Sequence, residues 1–595
     1  MKSSDLGVRY HSRQMMALDR KLSVVLSLVV AVTVILLTDR TGTTDPLMPQ
    51  VPGVTRESSA VFADQFGGIG IGVVGRSSYF RVRKVRNRWV FATPAGNAFW
   101  MLGVYNVTSD DHVTDLGKTY QQVAIAKYGD TDLTWGPQQV RRLKAWGFNT
   151  LGEYSVQWTQ PWMTDPRWPG GVQPVQMPSI PFPIQGALYS LRNLNGYANG
   201  PVKELYWALD SHFTGYRGQF PDVFDPNFDQ WVNGAMSIYG ETPWLLGMSS
   251  DDMDYLTGFG PGPDFDSSGH AHSHLGFVAL LSPPTQTSNP SLNLTYTDTK
   301  VYTKYALRTF LATKYGTIGA LNTAWGSNYT SFDSNGGWPN GSGLLDENGK
   351  GAWVGTDSVS LGNAAPAVKA DLDNFLYNLA VQYFSIYRTR IKQRMPNTLY
   401  LGPTTVGGWG APVRRQILQA AGQYLDVLRI GTYAGFADEQ ARLDFTAQYA
   451  GNLPIAVWLG AFANPDSALF QYTNPWFNTQ AERAAFYQTT LSRLLSATVT
   501  TTGAKPFVGI QWWEFHDNWG EKANWGLVTL QDNAYDGKEA IIAAGTDPWG
   551  YRTGGEARNY GNFLGSMIQA NAQVFTQLSR TKSPSAPTGI SIKSP

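Results

Sequence analysis

The chain has 595 residues, of which 42% are hydrophobic and 15% charged, and its 46 Lys and Arg side chains nearly balance its 45 Asp and Glu. This composition and length allow a large folded core and exclude global disorder. The near-neutral total argues against a broad basic surface for nucleic acid or for an anionic membrane. Because the sequence contains no Cys, disulfides, thiolate metal sites and Cys nucleophiles are excluded as well.

An apolar run at residues 22–37 indicates where the protein resides. The run holds no charge, and at 16 residues it is slightly short for a spanning helix and slightly long for a signal peptide. The basic residues before it include Arg9, Arg13, Arg20 and Lys21. We predict a single transmembrane anchor with the N-terminus inside the cell and the bulk outside. A cleaved signal peptide is the first alternative and a buried core helix the second. The predicted location is therefore extracytoplasmic, periplasmic or at the cell surface.

Alternating apolar residues at 79–100, with a turn at 94–97, predict a β-hairpin. Beyond it, strand-like segments alternate with helical patterns. The predicted strands are 99–104, 149–154, 182–188, 244–249, 398–402, 426–431, 454–459 and 507–513. The predicted helices are 137–146, 225–236, 298–314, 368–394, 412–424, 438–449 and 480–497. This pattern fits an α/β fold of the (β/α)8 TIM-barrel type with long loop insertions.

The same pattern divides the chain into four parts. We predict an anchor or signal segment at 1–45, a linker and β-hairpin segment at 46–95, the barrel at 96–550, and a C-terminal helix with a flexible tail at 551–595. No glycine-rich phosphate fingerprint follows the first strand, which disfavours a nucleotide-binding sheet.

Acidic residues follow three of the predicted strands. Catalytic side chains of such barrels lie at the C-terminal ends of strands, and facing carboxylates suit glycosidic bond cleavage, one protonated and the other ionised. We predict Asp252, Glu514 and Asp251 as catalytic residues, and Glu153 and Asp517 as substrate-binding residues. Glu514 and Asp517 compete, because alternation puts them on opposite faces of an extended segment. The alternative for each acid is a structural role, such as capping a loop or helix.

Aromatic and His residues near the strand ends are the remaining candidates. Trp rings are apolar platforms for sugars, and their N–H groups can bind hydroxyls; the alternative is that these rings pack the loops. The further predicted substrate-binding residues are Asn106, Trp158, Trp409, Trp512, Trp513, His272 and His516. The alternating His270, His272 and His274 could ligate a transition metal, but no HExxH motif accompanies them. We therefore predict neither a metal site nor a cofactor, and a neutral surface loop remains open for this segment.

Four stretches of the sequence resemble a known group of enzymes. RWVFATPAGNAFWMLGVYNV at 88–107 and VRRLKAWGFNTLGEYS at 140–155 resemble the agarase-type and beta-galactosidase-type glycoside hydrolases of the large retaining (β/α)8 clan. FPDVFDPNFDQWV at 220–232 also fits, and FLATKYGTIGALNTAWGSNYTSFD at 310–333 is similar to a helix–loop of family 42 beta-galactosidases. The resemblance implies the barrel fold and a sugar ligand. Together with the predicted export, it leads us to predict a glycoside hydrolase that cleaves an extracytoplasmic poly- or oligosaccharide.

The sequence departs from this clan at both catalytic positions. There, strand 4 ends in Asn-Glu and strand 7 in a nucleophilic Glu, whereas here Asp252 and Met253 stand at the first position and Leu459 or Gly460 at the second. We predict a rebuilt site in which Asp252 and Glu514 face one another across the barrel, a wide separation that favours inversion.

The alternative is an inactive barrel that binds cell-envelope glycan or assists polysaccharide assembly. A metal-dependent enzyme that uses the His triplet is a third hypothesis. The predicted partners are a carbohydrate and, through the N-terminal segment only, a membrane. Nucleic acid is not a predicted partner, and the sequence does not predict an oligomeric state.

Overall fold

The structure of the protein is a computed structural model. The residues that it describes are 62–109, 120–129, 134–153, 155, 184–188, 204–207, 220–221, 223–236, 240–250, 281–282, 288–289, 294–295, 302–333, 344, 366–403, 414–431, 439–461, 477, 479–517, 525–537, 545–546, 552–553 and 562–579. The predicted anchor at 22–37 lies outside these ranges, as do the predicted site residues Trp158, Asp251, Asp252, His272 and Trp409. Within the described ranges, every helix is too short or too polar to span a bilayer.

A parallel sheet of eight strands forms the centre of the fold. The strands of the structure are β1 (Arg81–Val85), β2 (Arg88–Ala92), β3 (Ala98–Phe99), β4 (Met101–Val104), β5 (Thr150–Leu151), β6 (Ile184–Leu188), β7 (Glu204–Trp207), β8 (Phe220–Pro221), β9 (Leu245–Ser250), β10 (Leu281–Ser282), β11 (Ser288–Asn289), β12 (Leu294–Thr295), β13 (Tyr400–Gly402), β14 (Leu428–Ile430), β15 (Ile455–Gly460), β16 (Phe507–Trp513), β17 (Gly545–Thr546) and β18 (Arg552–Thr553). The central sheet has the order β13-β9-β6-β5-β4-β16-β15-β14, and all neighbouring strands in it are parallel. Its eight strands overlap the eight predicted segments, so the predicted α/β fold is confirmed.

The two outermost strands of this sheet also meet. The backbone N–H of Asp426, two residues before β14, donates to the carbonyl of Tyr400 in β13 at 2.9 Å. The carboxylate of Asp426 in turn accepts the backbone N–H of Tyr400 at 2.9 Å. Each end of the sheet therefore supplies hydrogen-bond partners to the other.

Helices alternate with the strands of the central sheet along the chain. They are α1 (Tyr120–Tyr128), α2 (Gly136–Ala145), α3 (Pro226–Ala235), α4 (Tyr302–Tyr315), α5 (Ile318–Trp325), α6 (Pro366–Arg394), α7 (Arg415–Tyr424), α8 (Glu439–Ala450), α9 (Gln480–Ser496) and α10 (Phe563–Ser579). The seven helices predicted between the strands are present, whereas α1 and α5 were not predicted. Helix α5 begins directly after α4 because the Thr317 hydroxyl accepts the backbone N–H of Ala320 at 3.2 Å and caps a new first turn.

Successive residues of the central strands pack into two different apolar clusters. Leu428 and Ile455 belong to the larger core, which includes residues of α2, α6 and α9. Their neighbours Val427 and Ala456 belong to a smaller cluster. Because side chains alternate between the faces of a strand, the smaller cluster lies on the face turned away from the helices. Its members are Phe66, Phe80, Phe91, Phe99, Met101, Leu246, Leu399, Leu401, Val427, Ala456 and Val508.

A small antiparallel sheet, β1-β2-β3, covers this smaller cluster at the amino ends of the parallel strands. The ring of Phe99 meets those of Phe80 and Phe91 edge-on, with centroids 5.2 and 6.2 Å apart. The predicted hairpin is confirmed, and Gly96 in its turn has a φ of +90°, a conformation that glycine adopts without strain. The hairpin therefore covers the amino end of the central sheet. A functional site is expected at the opposite, carboxyl end.

A buried carboxylate fixes the segment that returns after β16. Asp532 accepts hydrogen bonds from the hydroxyls of Tyr120 and Tyr128 at 2.8 and 2.6 Å, and it pairs with Lys127 at 2.8 Å and Arg142 at 2.7 Å. Burial by itself would raise the pKa of Asp532, but the charges of Arg142 and Lys127 lower it to about 2. One side chain thus joins α1 and α2 to the segment beside the end of β16.

We expect Phe99→Ala to lower the free energy of unfolding by about 3–5 kcal/mol, because it removes a buried ring at the contact between hairpin and sheet. Urea denaturation followed by Trp fluorescence measures this change. Ile125→Ala is the matched control, since Ile125 is 46% exposed on α1 and its truncation should cost no more than about 0.5 kcal/mol. Equal denaturation midpoints for Phe99→Ala and the parent would contradict this packing.

We expect Asp532→Asn to lower the free energy of unfolding at neutral pH by about 2 kcal/mol, the equivalent of a pKa moved from 3.8 to about 2. A carboxyl whose pKa is depressed by folding stabilises the protein above its ordinary pKa and loses this effect as the pH falls through the folded value. The difference between parent and variant should therefore be constant above about pH 5 and shrink towards pH 2. Asp333→Asn is the control, because Asp333 is 66% exposed in its ion pair with Arg308 and should contribute little. A pH-independent difference would contradict the ionised state of Asp532.

Candidate functional site

A buried guanidinium organises the carboxyl half of the central sheet. Arg429 in β14 is 1% exposed and donates to Ser249 Oγ in β9 at 2.9 Å and to Gln511 Oε1 in β16 at 2.8 Å. It also donates to the carboxylate of Glu153, just after β5, and to the hydroxyl of Tyr105, just after β4. Five strands therefore send polar groups to one point on the face turned away from the helices.

Charge at this point is balanced inside the protein. Burial lowers the pKa of Arg429 to about 9, so the guanidinium remains protonated at neutral pH. The partner Glu153 is 1% exposed and supplies the opposite charge. A carboxylate that neutralises a buried cation cannot leave that cation without a large energetic cost. Glu153 is therefore suited to holding the strand ends in place rather than to giving up a proton.

Glu514 lies beside this cluster, directly after the last residue of β16. It is fully buried, and its Oε2 accepts a hydrogen bond from the side-chain amide of Asn106. Asn106 has a φ of +53°, a left-handed conformation that Asn tolerates better than most residues. Its backbone N–H donates to the carbonyl of Glu153 at 2.9 Å. Asn106 therefore joins the ends of β4, β5 and β16, and the structure brings together the predicted residues Asn106, Glu153 and Glu514.

Aromatic rings stand next to Glu514. Trp513, the last residue of β16, is partly exposed, and its ring centroid lies 5.6 Å from that of Tyr105 and 6.2 Å from that of Trp458 in β15. The predicted Trp513 thus belongs to the same group as Asn106 and Glu514. Sequence reasoning missed Tyr105, Trp458 and Arg429. Tyr105 stands directly before Asn106 in the motif that carries the family resemblance, which could have revealed it.

The structure places Trp512 away from this group. Gln511 and Trp513 face the Arg429 side of the sheet, and alternation turns Trp512 to the helical side. There Trp512 is fully buried, with ring centroids 5.6 Å from Tyr487 and 5.4 Å from Phe563. Its indole N–H donates to the carbonyl of Trp525 at 3.1 Å. This position in the core does not fit the predicted contact of Trp512 with a substrate.

His516 and Asp517 fix the segment that follows β16. The His516 ring stacks on Tyr120 with centroids 4.2 Å apart. Asp517 Oδ1 accepts the backbone N–H of Gly526 at 3.0 Å, and its Oδ2 accepts the hydroxyl of Tyr535 at 2.7 Å. These bonds direct the carboxylate of Asp517 towards the returning segment. Of the two competing acids, Glu514 is therefore the one next to Asn106.

The strands that carry the catalytic Glu residues of the resembled clan end differently here. Strand β15 ends at Gly460, and Leu459 is fully buried in the core shared with the helices. Asp251 and Asp252 directly follow Ser250, the last residue of β9, whose hydroxyl is 2.8 Å from that of Tyr400. Because β9 and β16 are parallel members of one sheet, their carboxyl ends lie at the same edge.

Comparison with known proteins finds relatives among the agarases. No protein-family model matches the chain. Beta-agarase A of Vibrio sp. (strain JT0107) is 24% identical over 528 residues, which cover 77% of this chain and 44% of the relative. Beta-agarase B of the same strain is 23% identical over 534 residues, which cover 77% of this chain and 47% of the relative. The chain thus spans less than half the length of these curated relatives.

Solved structures, including two of agarases, share the fold. The crystal structure of an agarase, AgWH50C, superposes with a TM-score of 0.58 at 18% identity and covers 88% of this chain and 68% of its own. An exo-beta-agarase has the same score and identity, with 86% and 67% coverage. BpGH50 has a TM-score of 0.52 at 16% identity and 88% coverage of both chains. The resemblance to agarase-type glycoside hydrolases that the sequence predicts is therefore confirmed, and the shared fold extends over most of the chain.

Proposed function

We propose that the chain is a glycoside hydrolase that cleaves an agar-type polysaccharide, or oligosaccharides derived from it, with carboxylates as acid and base. The observation that carries this proposal is the buried carboxylate of Glu514, held by the Asn106 amide at the carboxyl end of a sheet whose fold is shared with agarases. The relatives' names supply the substrate class, since Beta-agarase A and Beta-agarase B match over 77% of the chain.

We infer further that the central sheet closes into a (β/α)8 barrel. Support comes from the strand order, in which each strand neighbours the next in the chain, and from the backbone hydrogen bond between Asp426 and Tyr400. In such barrels the loops after the strands form the active site. Glu514, Asn106 and Trp513 all stand at that end.

In this proposal Glu514 acts in its ionised form. A hydrogen bond donated to a carboxylate stabilises the charged form, and the Asn106 amide donates one to Oε2. Glu514 would then serve as the general base that takes a proton from the water attacking the anomeric carbon. The proton for the leaving oxygen would come from Asp252 or Asp251, which follow β9 on the opposite side of a closed sheet. That separation leaves room for a water between Glu514 and the anomeric carbon, and hence favours inversion.

The neighbouring residues would bind and orient the sugar. The partly exposed ring of Trp513 offers an apolar face for a pyranose ring, and the Glu153–Arg429 pair would hold Tyr105 and Asn106 in place. Trp158, Trp409 and His272 remain predicted substrate contacts. Polysaccharides of this kind occur outside the cytoplasm. This location agrees with the export predicted from residues 22–37 and with a membrane anchor there.

A second candidate function is glycan binding without cleavage. The observation that favours it is the end of β15, where buried Leu459 and Gly460 stand in place of a nucleophilic Glu. A reducing-sugar assay on agarose decides between the two candidates. Release of sugar by the parent protein supports the hydrolase, whereas binding without release supports the second candidate.

We expect Glu514→Gln to lower the turnover of agarose by about 10²–10⁴, the contribution of a positioned proton-transfer or nucleophilic group. The amide keeps the size of the side chain and can still accept from Asn106, so ligand affinity and the melting temperature should stay near those of the parent. Asp252→Asn should lower turnover to a similar extent, with Asp251→Asn made in parallel because a shift of one residue is possible at a strand end.

The control for these variants is Asp517→Asn. Its carboxylate bonds Gly526 and Tyr535 rather than facing Asn106, so this change should lower stability and leave the turnover of the folded protein within about tenfold of the parent. Parent-like hydrolysis by Glu514→Gln would show that another group carries the chemistry.

We expect Trp513→Ala to change ligand binding and Trp512→Ala to change stability. Trp513→Ala should weaken the binding of agaro-oligosaccharides by about 1–3 kcal/mol through loss of one aromatic face, with little change in stability. Trp512→Ala should instead lower the free energy of unfolding by about 3–5 kcal/mol, because the ring is buried in the core. Calorimetric titration and urea denaturation of both variants measure the two effects. Unchanged affinity in Trp513→Ala would place the sugar site elsewhere.

A further inference from the structure

The hairpin at the amino end of the sheet carries an unusual concentration of positive charge. Residues 76–92 contain six Arg and Lys and neither Asp nor Glu, although the whole chain has a net charge of only +1. The near-neutral net charge of the whole chain therefore includes a local excess of positive charge at residues 76–92. We define the basic hairpin surface as Arg76, Arg81, Arg83, Lys84, Arg88 and the neighbouring Lys505.

The strand register places Arg81, Arg83 and Arg88 on the face of the hairpin turned away from the smaller cluster, whereas the exposed Lys84 follows the face of Val82. Arg81 pairs with Ala92 and Arg83 with Val90, so these arginines share one face of the hairpin. The next pair along, Val82 with Phe91, lies on the other face, and Phe91 is fully buried in the smaller cluster. The hairpin thus packs one face on the smaller cluster. On the other face Val90 and Ala92 are buried, Arg81 is partly buried and Arg83 is exposed.

The cations of this surface lie close enough to repel one another. Burial, and then the charge of Arg83, lowers the pKa of Arg81. Burial, and then the charge of Arg88, lowers the pKa of Lys505. Arg88 and Lys505 are also joined by a backbone bridge between the hairpin and the start of β16.

Carboxylates do not neutralise this surface within the part of the chain that the structure describes. The ion pairs found there involve other cations. Arg81 donates instead to the carbonyl of Gly75 at 2.5 Å, and Arg88 to that of Leu495 at 2.6 Å. Strand β1 is an edge strand, and charged side chains protect such an edge from pairing. Arg88 and Lys505 lie outside β1, so edge protection does not account for them, and the excess fits an anionic ligand.

We propose that the basic hairpin surface docks on an anionic phospholipid membrane. Clusters of Lys and Arg are attracted to acidic headgroups in the leaflet that they face, each adding to the affinity. The apolar run at residues 22–37 precedes this surface in the chain and would bring it to lipid. Sulfated polysaccharide carries similar charge, but the surface lies at the amino end of the sheet, whereas Glu514 follows the seven-residue strand β16 at the other end.

Docking in this orientation suits the proposed hydrolase but does not depend on it. A strand of that length separates its two ends by about 20 Å. The lipid would lie under the hairpin while the carboxyl end of the sheet, with Glu514 and Trp513, faces away from the membrane. A polysaccharide bound at the hairpin would instead sit too far from Glu514 to be passed to it directly.

Vesicle sedimentation of the full chain tests this docking. The apolar run would bind lipid of any charge, so the informative quantity is the ratio of partition coefficients for vesicles of phosphatidylglycerol plus phosphatidylcholine and for phosphatidylcholine alone. We expect a ratio well above one at low salt that falls towards one at high salt. Arg83→Glu and Lys84→Glu, both at exposed positions, should each lower the ratio by roughly fivefold or more, and together by more than either alone.

The control is Arg141→Glu, which makes the same change of charge at an exposed position on α2. It should leave the ratio near that of the parent, and all variants should keep the parent melting temperature and turnover. Equal ratios for Arg83→Glu and Arg141→Glu would overturn the proposal, as would a parent without preference for acidic lipid. Retention on immobilised dextran sulfate that depends on Arg83, without any such preference, would assign the surface to polysaccharide and also overturn the membrane proposal.

Discussion

The carboxyl half of the central sheet depends on one buried cation. Arg429 has almost no access to water, so its charge must be met by groups of the protein, and these come from β9, β16 and the ends of β4 and β5. Removing a single acceptor from such a site leaves charge without compensation in a medium of low polarity. The need to satisfy Arg429 therefore fixes the relative positions of strand ends that are hundreds of residues apart in sequence.

That constraint explains why the site can form at this end of the sheet and not at the other. At the amino end the face turned away from the helices is apolar and covered by the hairpin, and Phe80, Phe91 and Phe99 belong to the smaller cluster there. Such a cluster excludes water but offers no group for chemistry. At the carboxyl end Tyr105 and Glu153 both contact Arg429, and the next residue after Tyr105 is Asn106, which bonds Glu514. The structural ion pair and the proposed catalytic carboxylate are thus linked through two consecutive residues.

The positions of the central strands could be predicted from sequence because strands buried on both faces form short continuous apolar runs, such as IAVWLG in β15 and FVGIQWW in β16. Glu514 and Asn106 could be predicted as site residues because both directly follow such runs. The cluster around Asp532 could not be predicted, since its partners Tyr120 and Lys127 stand more than 400 residues away along the chain. Helix α1 was not predicted either, because its apolar residues are too weakly periodic to predict a helix. In the structure it is held in place through Asp532.

Strict alternation also misassigned the residues around Glu514. Alternation places Glu514 on the same face as Trp512, two residues earlier, yet Trp512 packs under α9 and α10 while Glu514 bonds Asn106. The rule holds within β16, where Gln511 and Trp513 share a face, and it ends with the strand at Trp513. Beyond that point hydrogen bonds with neighbouring segments set the direction of each side chain. Asp517, directed to Gly526 and Tyr535, shows the same effect.

The end of β15 limits which strand can supply the second carboxylate of the proposed reaction. Leu459 is packed into the core on the helical side, so a carboxylate there would face apolar residues rather than the site. Trp458, on the opposite face, fills the neighbouring space with a ring that contacts Trp513. A second catalytic carboxylate therefore cannot come from β15. Since Glu153 is committed to Arg429 and Asp517 to the returning segment, Asp251 and Asp252 after β9 remain the predicted partners of Glu514 in the proposed hydrolysis.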